Sequence, residues 1–170
     1  AEFFIYILIV VLTALSIRSF LAEPIRVDGD SMIPTLINNE DMLVEKVGYW
    51  FHDPARGDMV ICFYPGYTES CVKRVIGLPG ETVSVSKGQI YIDGTALDES
   101  DYWTGEIIGD MEPITVGARE VFVVGDNRNG SKDSRNPAVG CIPYAKVVGR
   151  VIAVVWPLDT MRTVEQVNYS

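Results

Sequence analysis

The sequence predicts a mainly β protein, in which an N-terminal transmembrane helix leads into a single antiparallel β-rich domain. Three observations support this fold class. Residues 3–22 read FFIYILIVVLTALSIRSFLA, with Arg18 as their one charge. After residue 24, helical periodicity gives way to short runs rich in β-branched residues, separated by turn residues. The chain has 170 residues, which leaves room for one domain of ordinary size after the helix.

The apolar N-terminal run is long enough to cross a bilayer. Twenty helical residues span roughly 30 Å, the thickness of the hydrocarbon core. We therefore predict a membrane anchor over 1–22 and the β-rich domain over 23–170. Arg18 would extend its charge to the interface. A cleavable signal peptide is the alternative, which we disfavour because the run leads directly into the candidate site.

The remaining elements are short strands joined by turns. Lys87-Gly88 is a plausible tight turn between two of them, and residues 95–117 are polar and acidic, which suggests a small insertion on the sheet. The predicted strands are 25–27, 42–47, 58–63, 71–76, 82–86, 89–92, 120–124 and 147–155.

The charge balance excludes one class of partner. The net charge is -9, and a protein that binds nucleic acid needs a basic surface to neutralise phosphates. We also find no cluster with zinc-ligand spacing and no glycine-rich loop before a helix. We therefore expect no nucleic acid and no cofactor or metal.

The three cysteines are Cys62, Cys71 and Cys141, so at least one is unpaired within the chain. A hairpin turn centred on Pro65-Gly66-Tyr67-Thr68 would place Cys62 directly opposite Cys71, close enough for a disulfide. Two buried thiols are the other interpretation, and the sequence leaves both open.

Lys73 is a candidate general base. In an extended strand it shares one face with Cys71 and Val75, so apolar groups lie on both sides of it. A free lysine has a pKa of about 10.4 and is a poor base near neutrality. Burial disfavours the ammonium form and lowers that pKa. A lysine whose stem lies along the sheet with its amine in water would explain the same pattern.

Ser31 is a candidate nucleophile, because it lies in a bend after Gly29 where a hydroxyl and backbone N–H groups are exposed. Serine needs a base to take its proton. The only histidine, His52, lies in a loop-like stretch, so a buried lysine is the next candidate. Alone, a serine beside glycine is most often a simple turn.

A third cluster covers residues 125–135 and is dense in hydrogen-bonding side chains. It can be a solvated loop. Alternatively, it positions Ser131 and pairs Asp133 with Arg135, and also with Arg74.

Together these segments resemble the type I signal peptidases. The resemblance extends from the N-terminal helix to about residue 157. The matching strings are Gly29-Asp30-Ser31-Met32-x-Pro34-Thr35-Leu36, Lys73-Arg74-Val75-Ile76-Gly77-Leu78-Pro79-Gly80-Glu81, and Gly125-Asp126-Asn127-Arg128 through Asp133-Ser134-Arg135.

The resemblance implies a serine endopeptidase that removes signal peptides by a Ser–Lys dyad. Ser31 would be the nucleophile and Lys73 the general base. Ser131 would orient the lysine, and Asp133 with Arg135 would give structural support. One branch of the family has a serine two positions before the nucleophile, which donates to the oxyanion. Here that position is Gly29, as in the compact Gram-positive-like branch.

The resemblance also implies the setting and the substrates. The catalytic domain would lie on the extracytoplasmic side of the cytoplasmic membrane, held by a single pass through the lipid bilayer. Exported preproteins would be cut near the secretion translocon, after small residues at the first and third positions before the cut. Met32, Leu36 and Val72 are candidates for the pockets that hold those residues.

Two other functions share part of this pattern. A self-cleaving Ser–Lys regulator of the LexA type would use the same dyad, but it needs no membrane helix. A membrane-tethered β-domain that binds peptides without catalysis would retain the fold and lack a reactive lysine.

Overall fold

The structure, a computed structural model, describes the backbone of residues 2–165, 167 and 169. It begins with one α-helix, α1 (Glu2–Leu21), whose side chains at residue 2 and residues 14–21 lie outside the description. Across the described part of the chain, no helix has the length and apolar character that a membrane span requires. The transmembrane helix predicted within 1–22 is therefore not confirmed, and Arg18 lies outside the described side chains.

Twelve short strands follow the helix in the described residues. In chain order they are β1 (Ala22–Arg26), β2 (Asp41–Glu45), β3 (Met59–Phe63), β4 (Ser70–Gly77), β5 (Thr82–Ser86), β6 (Gln89–Ile92), β7 (Thr95–Ala96), β8 (Met111–Thr115), β9 (Glu120–Val124), β10 (Ile142–Pro143), β11 (Val147–Trp156) and β12 (Arg162–Thr163). Three 3₁₀ turns lie between them, at Gly48–Trp50, Tyr144–Lys146 and Leu158–Thr160.

The larger sheet has eight strands, and the described pairings are all antiparallel, as the sequence predicted. Its order is β1-β2-β11-β3-β4-β9-β10, and β12 pairs with β11. The strand β1 lies at one edge. The strand β9 pairs with β4 only from Arg74 onward, so the residues of β4 before Arg74 are not paired with β9. Both features leave free strand edges near the candidate site.

The smaller sheet includes part of residues 95–117, the segment predicted as a small insertion. Its order is β7-β6-β5-β8, so this segment supplies two of its four strands. Val83 lies opposite Ile114, and Ile107 is buried in the same core. These strands were not predicted from the sequence, because β7 has only two residues and β8 has exposed polar positions.

The turn between β3 and β4 has the predicted register, with Cys62 directly opposite Cys71. Both are free thiols, with their Sγ atoms 3.7 Å apart. The loop from β1 to β2 packs over the core through Met32 and Leu36, which contact the cluster around Met42. These two elements, the loop and β4, position the candidate site.

Candidate active site

Ser31 lies in the loop between β1 and β2, and backbone hydrogen bonds close the neck of that loop. The N–H of Val27 donates to the carbonyl of Glu40 (2.8 Å), and the N–H of Asn39 donates to the carbonyl of Val27 (2.9 Å). The carbonyl of Ser31 accepts the N–H of Asn127 at 3.0 Å. The serine is thus held from both sides, by its own loop and by the segment after β9.

Gly29 allows the bend that precedes the serine. Its φ of +94° is in the left-handed region that side chains disfavour. Its N–H donates to Oδ1 of Asn38 at 3.1 Å, which fixes the bend across the loop.

Lys73 lies in the middle of β4 and is 3% exposed. Its Nζ lies 2.8 Å from Oγ of Ser31 and 2.8 Å from the carbonyl oxygen of Val72. Burial lowers the pKa of Lys73, and negative charge on Cys71, Cys62, Asp133 and Asp126 offsets part of that decrease. The cause is the loss of hydration that the ammonium form suffers. The amine is therefore within hydrogen-bonding distance of the hydroxyl and is biased toward its neutral form.

The segment of residues 125–135 packs against Ser31 through Gly125. A Cβ at this position would lie 2.2 Å from Oγ of Ser131 and 2.4 Å from the carbonyl oxygen of Ser31, so only glycine fits. The Gly125 N–H donates to Oδ2 of Asp133 at 2.9 Å. Asp133 also accepts two hydrogen bonds from the Arg135 guanidinium, each 2.8 Å. The predicted pair of Asp133 and Arg135 is present and holds this segment in shape.

Ser131 differs from its predicted contact. Its Oγ is buried next to Ser31, but it has no hydrogen-bond partner among the described residues. Lys73 directs its amine to Ser31 and to the Val72 carbonyl instead. Ser131 therefore lies beside Ser31 without a hydrogen bond to the lysine.

Arg74 also differs from its predicted partner. It pairs with Asp126 and not with Asp133, because adjacent residues in a strand point to opposite faces. The two hydrogen bonds to Asp126 measure 2.8 and 2.6 Å, and Thr35 Oγ1 donates to the same carboxylate at 2.5 Å. Asp126 and Thr35 were missed as site residues. Both residues lie inside the sequence strings that resemble the type I signal peptidases, and this position was the one feature that could have identified them.

A second buried pair was missed because half of it lies in the acidic segment that the sequence presented as an insertion. Arg128 and Glu99 are both buried, and Nη1 of Arg128 donates to Glu99 at 2.6 Å. The Arg128 Nε also donates to the Gly125 carbonyl at 3.1 Å. This pair connects the smaller sheet region to the segment that contacts Ser31.

A groove of about 510 Å³ lies between β1 and the start of β4, and its lining ends at Val72, the residue before Lys73. It is bounded by residues 25–28 on one side and by residues 69–72 on the other. Val72, a candidate for a pocket residue, lines it. Met32 and Leu36, the other two candidates for pocket residues, are not among the residues that line this groove, and they are 1% and 0% exposed in the core under the loop. Their apolar side chains anchor the loop to the core.

Comparison with known proteins identifies the family. The family described as "Signal peptidase, peptidase S26" matches residues 1–156 of the chain. The chain belongs to this signal peptidase family. The enzyme class predicted from the sequence, signal peptidase I, is thereby confirmed.

Individual relatives and a solved structure agree with the family match. The chain is 39% identical to "Signal peptidase I" of Leptolyngbya laminosa, over 89% of this chain and 77% of the relative. It is 37% identical to "Signal peptidase I S" of Bacillus subtilis, over 92% of this chain and 89% of the relative. A crystal structure of a signal peptidase I from Enterococcus faecalis matches with a TM-score of 0.50 and 31% identity, and covers 58% of this chain and 97% of that one.

The one histidine of this signal peptidase family member lies at the surface and is not the residue hydrogen-bonded to the Ser31 hydroxyl. His52 is exposed and packs edge-on against Tyr49, and its Nδ1 lies 3.1 Å from the Asp53 carbonyl. Lys73 is the buried basic side chain that contacts the Ser31 hydroxyl.

Proposed function

We propose that this chain is a membrane-bound serine endopeptidase that removes signal peptides from exported preproteins, with Ser31 as nucleophile and Lys73 as general base. The observation that carries the proposal is the 2.8 Å contact between Nζ of the buried Lys73 and Oγ of Ser31. A buried amine with a lowered pKa can accept a proton near neutrality, which an exposed lysine cannot do.

The chemistry follows from that contact. Ser31 Oγ attacks the scissile carbonyl as Lys73 takes the hydroxyl proton, and the lysine then gives this proton to the leaving amine. Water activated by the same amine hydrolyses the acyl-enzyme. The N–H of Ser31 is the donor that we assign to the oxyanion, since the N–H of Gly29 is already bound to Asn38.

The neutral amine has one lone pair and two N–H groups. The lone pair would accept the Ser31 proton, and one N–H would donate to the Val72 carbonyl. The second N–H would then donate to Oγ of Ser131, a buried hydroxyl that lacks a partner in the described residues. This arrangement gives Ser131 the role of orienting the lysine during turnover, with Asp133 and Arg135 supporting its segment.

The groove supports an extended substrate. The edge of β1 and the first residues of β4 face it with strand edges that lack a β-partner on that side in the described residues. A peptide in extended form can add to such edges by backbone hydrogen bonds, with alternate side chains in pockets. Val72 would line a shallow pocket, which favours small side chains before the cut.

We place the enzyme at the cytoplasmic membrane, with residues 1–22 as its anchor and residues 23–170 on the extracytoplasmic side, near the translocon. The support is the apolar run of residues 3–12, whose side chains are exposed in the described helix. Large apolar side chains of this kind need a nonaqueous partner.

The test is processing of a model preprotein by the full chain in detergent, with the cut located by mass spectrometry. We expect one cut after the signal peptide by the wild-type chain, and no cut by Ser31→Ala or Lys73→Arg. Arginine retains the charge but does not deprotonate in a useful range. Lys87→Arg, at an exposed turn position, is the control and should process normally. Cleavage by the Lys73→Arg variant would disprove the dyad.

A further inference from the structure

Cys62 and Cys71 lie in the candidate site, and the proposed peptidase chemistry uses neither. They face each other across β3 and β4, and their Sγ atoms are 3.7 Å apart. Directly opposite residues of an antiparallel pair have Cα separations of about 4.5 to 5.5 Å, inside the range that a disulfide accepts. Side-chain rotation alone can therefore bring the two sulfur atoms to bonding distance.

The two thiols differ in access. Cys62 is completely buried, whereas Cys71 is partly exposed and lines the groove next to Val72. A small reagent that enters the groove therefore reaches Cys71 first. Cys62 is positioned behind it, as a second thiol in contact with the first.

The thiols also differ in reactivity. The hydrogen bond from Cys62 lowers the pKa of Cys71 to about 7, and the Lys73 charge contributes to the decrease. That same hydrogen bond, together with burial, raises the pKa of Cys62. Because the thiolate is the nucleophile in thiol–disulfide exchange, Cys71 is the attacking group.

We propose that Cys62 and Cys71 are a reversible disulfide site in the substrate groove, oxidised by exchange with a small disulfide such as glutathione disulfide. The Cys71 thiolate attacks one sulfur of glutathione disulfide, which breaks the S–S bond and releases one glutathione thiolate. Cys62 then loses its proton to the released thiolate or to water and attacks the Cys71 sulfur. This second step forms the Cys62–Cys71 bond and expels the second glutathione, so two protein thiols are oxidised and one disulfide is reduced to two thiols.

The bond would alter the environment of Lys73. Cys71 precedes Lys73 by two residues on the same face of β4, so a thiolate there stabilises the ammonium and raises the pKa of the lysine. The disulfide carries no charge and removes this effect. The bond also removes the smaller effect of Cys62 of β3 on the lysine. The other groups that act on the lysine or on Cys71 remain in place: Tyr64 of the hairpin, and Asp126 and Asp133 of the segment after β9.

An effect of the disulfide on activity rests on the proposed function. The loss of the thiolate charge decides the direction in which the pH dependence of activity shifts. Above about pH 7, where Cys71 of the reduced chain becomes a thiolate, the oxidised chain has the more readily deprotonated lysine. Because the base must be neutral, the rise of kcat/KM with pH should move to lower pH in the oxidised chain.

The first experiment measures the bond and needs no activity. The full chain is incubated with glutathione disulfide, free thiols are alkylated, and peptides are mapped by mass spectrometry. We expect a peptide linking Cys62 to Cys71 and an alkylated Cys141. In Cys62→Ala, we expect a stable glutathione adduct on Cys71. Alkylation of all three thiols in the wild-type chain, or an unresolved adduct on Cys71, would overturn the proposal.

The second experiment compares the pH dependence of preprotein processing for the reduced and oxidised chains, with Cys141→Ser as the matched control. We expect the rise to shift to lower pH on oxidation in both chains, and to return after treatment with a thiol reductant. Coincident profiles despite a mapped Cys62–Cys71 bond would disprove the effect on Lys73. If the reduced chain processes no preprotein, the proposed function fails, while the mapping result still decides whether the disulfide site exists.

Discussion

Arg74 and Asp126 form a two-hydrogen-bond ion pair that is almost completely buried, one residue along β4 from Lys73. Asp126 also accepts the Thr35 hydroxyl, four residues after Ser31. The pair therefore connects β4 with the Ser31 loop and the segment after β9. The pair lies on one face of β4 and supports the strand whose other face presents the Lys73 amine.

This ion pair should be essential for stability. Arg74→Met leaves the Asp126 carboxylate buried without its guanidinium partner, and we expect the free energy of unfolding to fall by about 3–5 kcal/mol. Urea unfolding followed by circular dichroism measures the loss. The control is Arg26→Met, which removes the exposed pair with Asp41 and should leave the midpoint nearly unchanged. Similar midpoints for the two variants would contradict the assignment.

The close approach at Gly125 gives a second prediction. In Gly125→Ala, the new methyl would overlap Oγ of Ser131 and the Ser31 carbonyl, so the segment must move away from the serine. We expect processing to be lost and stability to fall by about 1–3 kcal/mol, the typical cost of overpacking. Gly117→Ala is the control, because there the Cβ meets only the carboxylate end of the Glu120 side chain. Wild-type processing by Gly125→Ala would show that the contact is not needed.

Ser131→Ala tests whether the buried hydroxyl acts during turnover. Because its Oγ lacks a partner in the described residues, its removal should not lower the urea midpoint. If the hydroxyl binds Lys73 in the reacting state, kcat/KM should fall about tenfold, equivalent to about 1.4 kcal/mol. The rise of the pH–rate profile should move as well, since the lysine loses a partner. An unchanged rate and profile would refute the orienting role.

The lowered pKa of Lys73 has a consequence for stability. The unfolded chain binds a proton at this lysine up to a pKa of about 10.4, whereas the folded chain releases it at lower pH. Between these two pKa values, the unfolded state binds more protons, so stability should rise with pH. Lys73→Met should remove this rise and should be more stable than wild type at neutral pH, although inactive. Urea midpoints between pH 6 and pH 10, roughly the range in which lysine titrates, would measure it. A parallel pH dependence in wild type and variant would contradict the buried neutral amine.

Local patterns predicted much of the fold. The strands 82–86, 89–92 and 120–124 have the predicted bounds. The strands β3 and β4 begin and end within one residue of their own predicted bounds. The hairpin register that places Cys62 opposite Cys71 also followed from the turn. These features depend on residue alternation and turn residues that are adjacent in the chain. The short strands β7, β10 and β12 were missed, because two residues contain too little pattern to identify a strand.

The side-chain partners were predicted less well. The pair of Asp133 and Arg135 was predicted, as its members are two residues apart. The predicted partner of Arg74 was wrong, and the pair of Arg128 with Glu99 was not predicted. Both contacts join segments that are distant in the chain. The burial of Met32 and Leu36 in the core was not predicted, because loop packing decides which apolar residues face the core.

By itself, the sequence determined the class of structure and which residues have the chemistry: a β-rich chain after an apolar helix, a serine in a glycine bend, and a lysine among apolar strand residues. Only the tertiary structure decided that the Lys73 side chain is buried and that its amine lies 2.8 Å from the hydroxyl of Ser31, 42 positions away in the chain. Local propensities act over a few residues, whereas desolvation and side-chain contacts arise only when distant segments pack together.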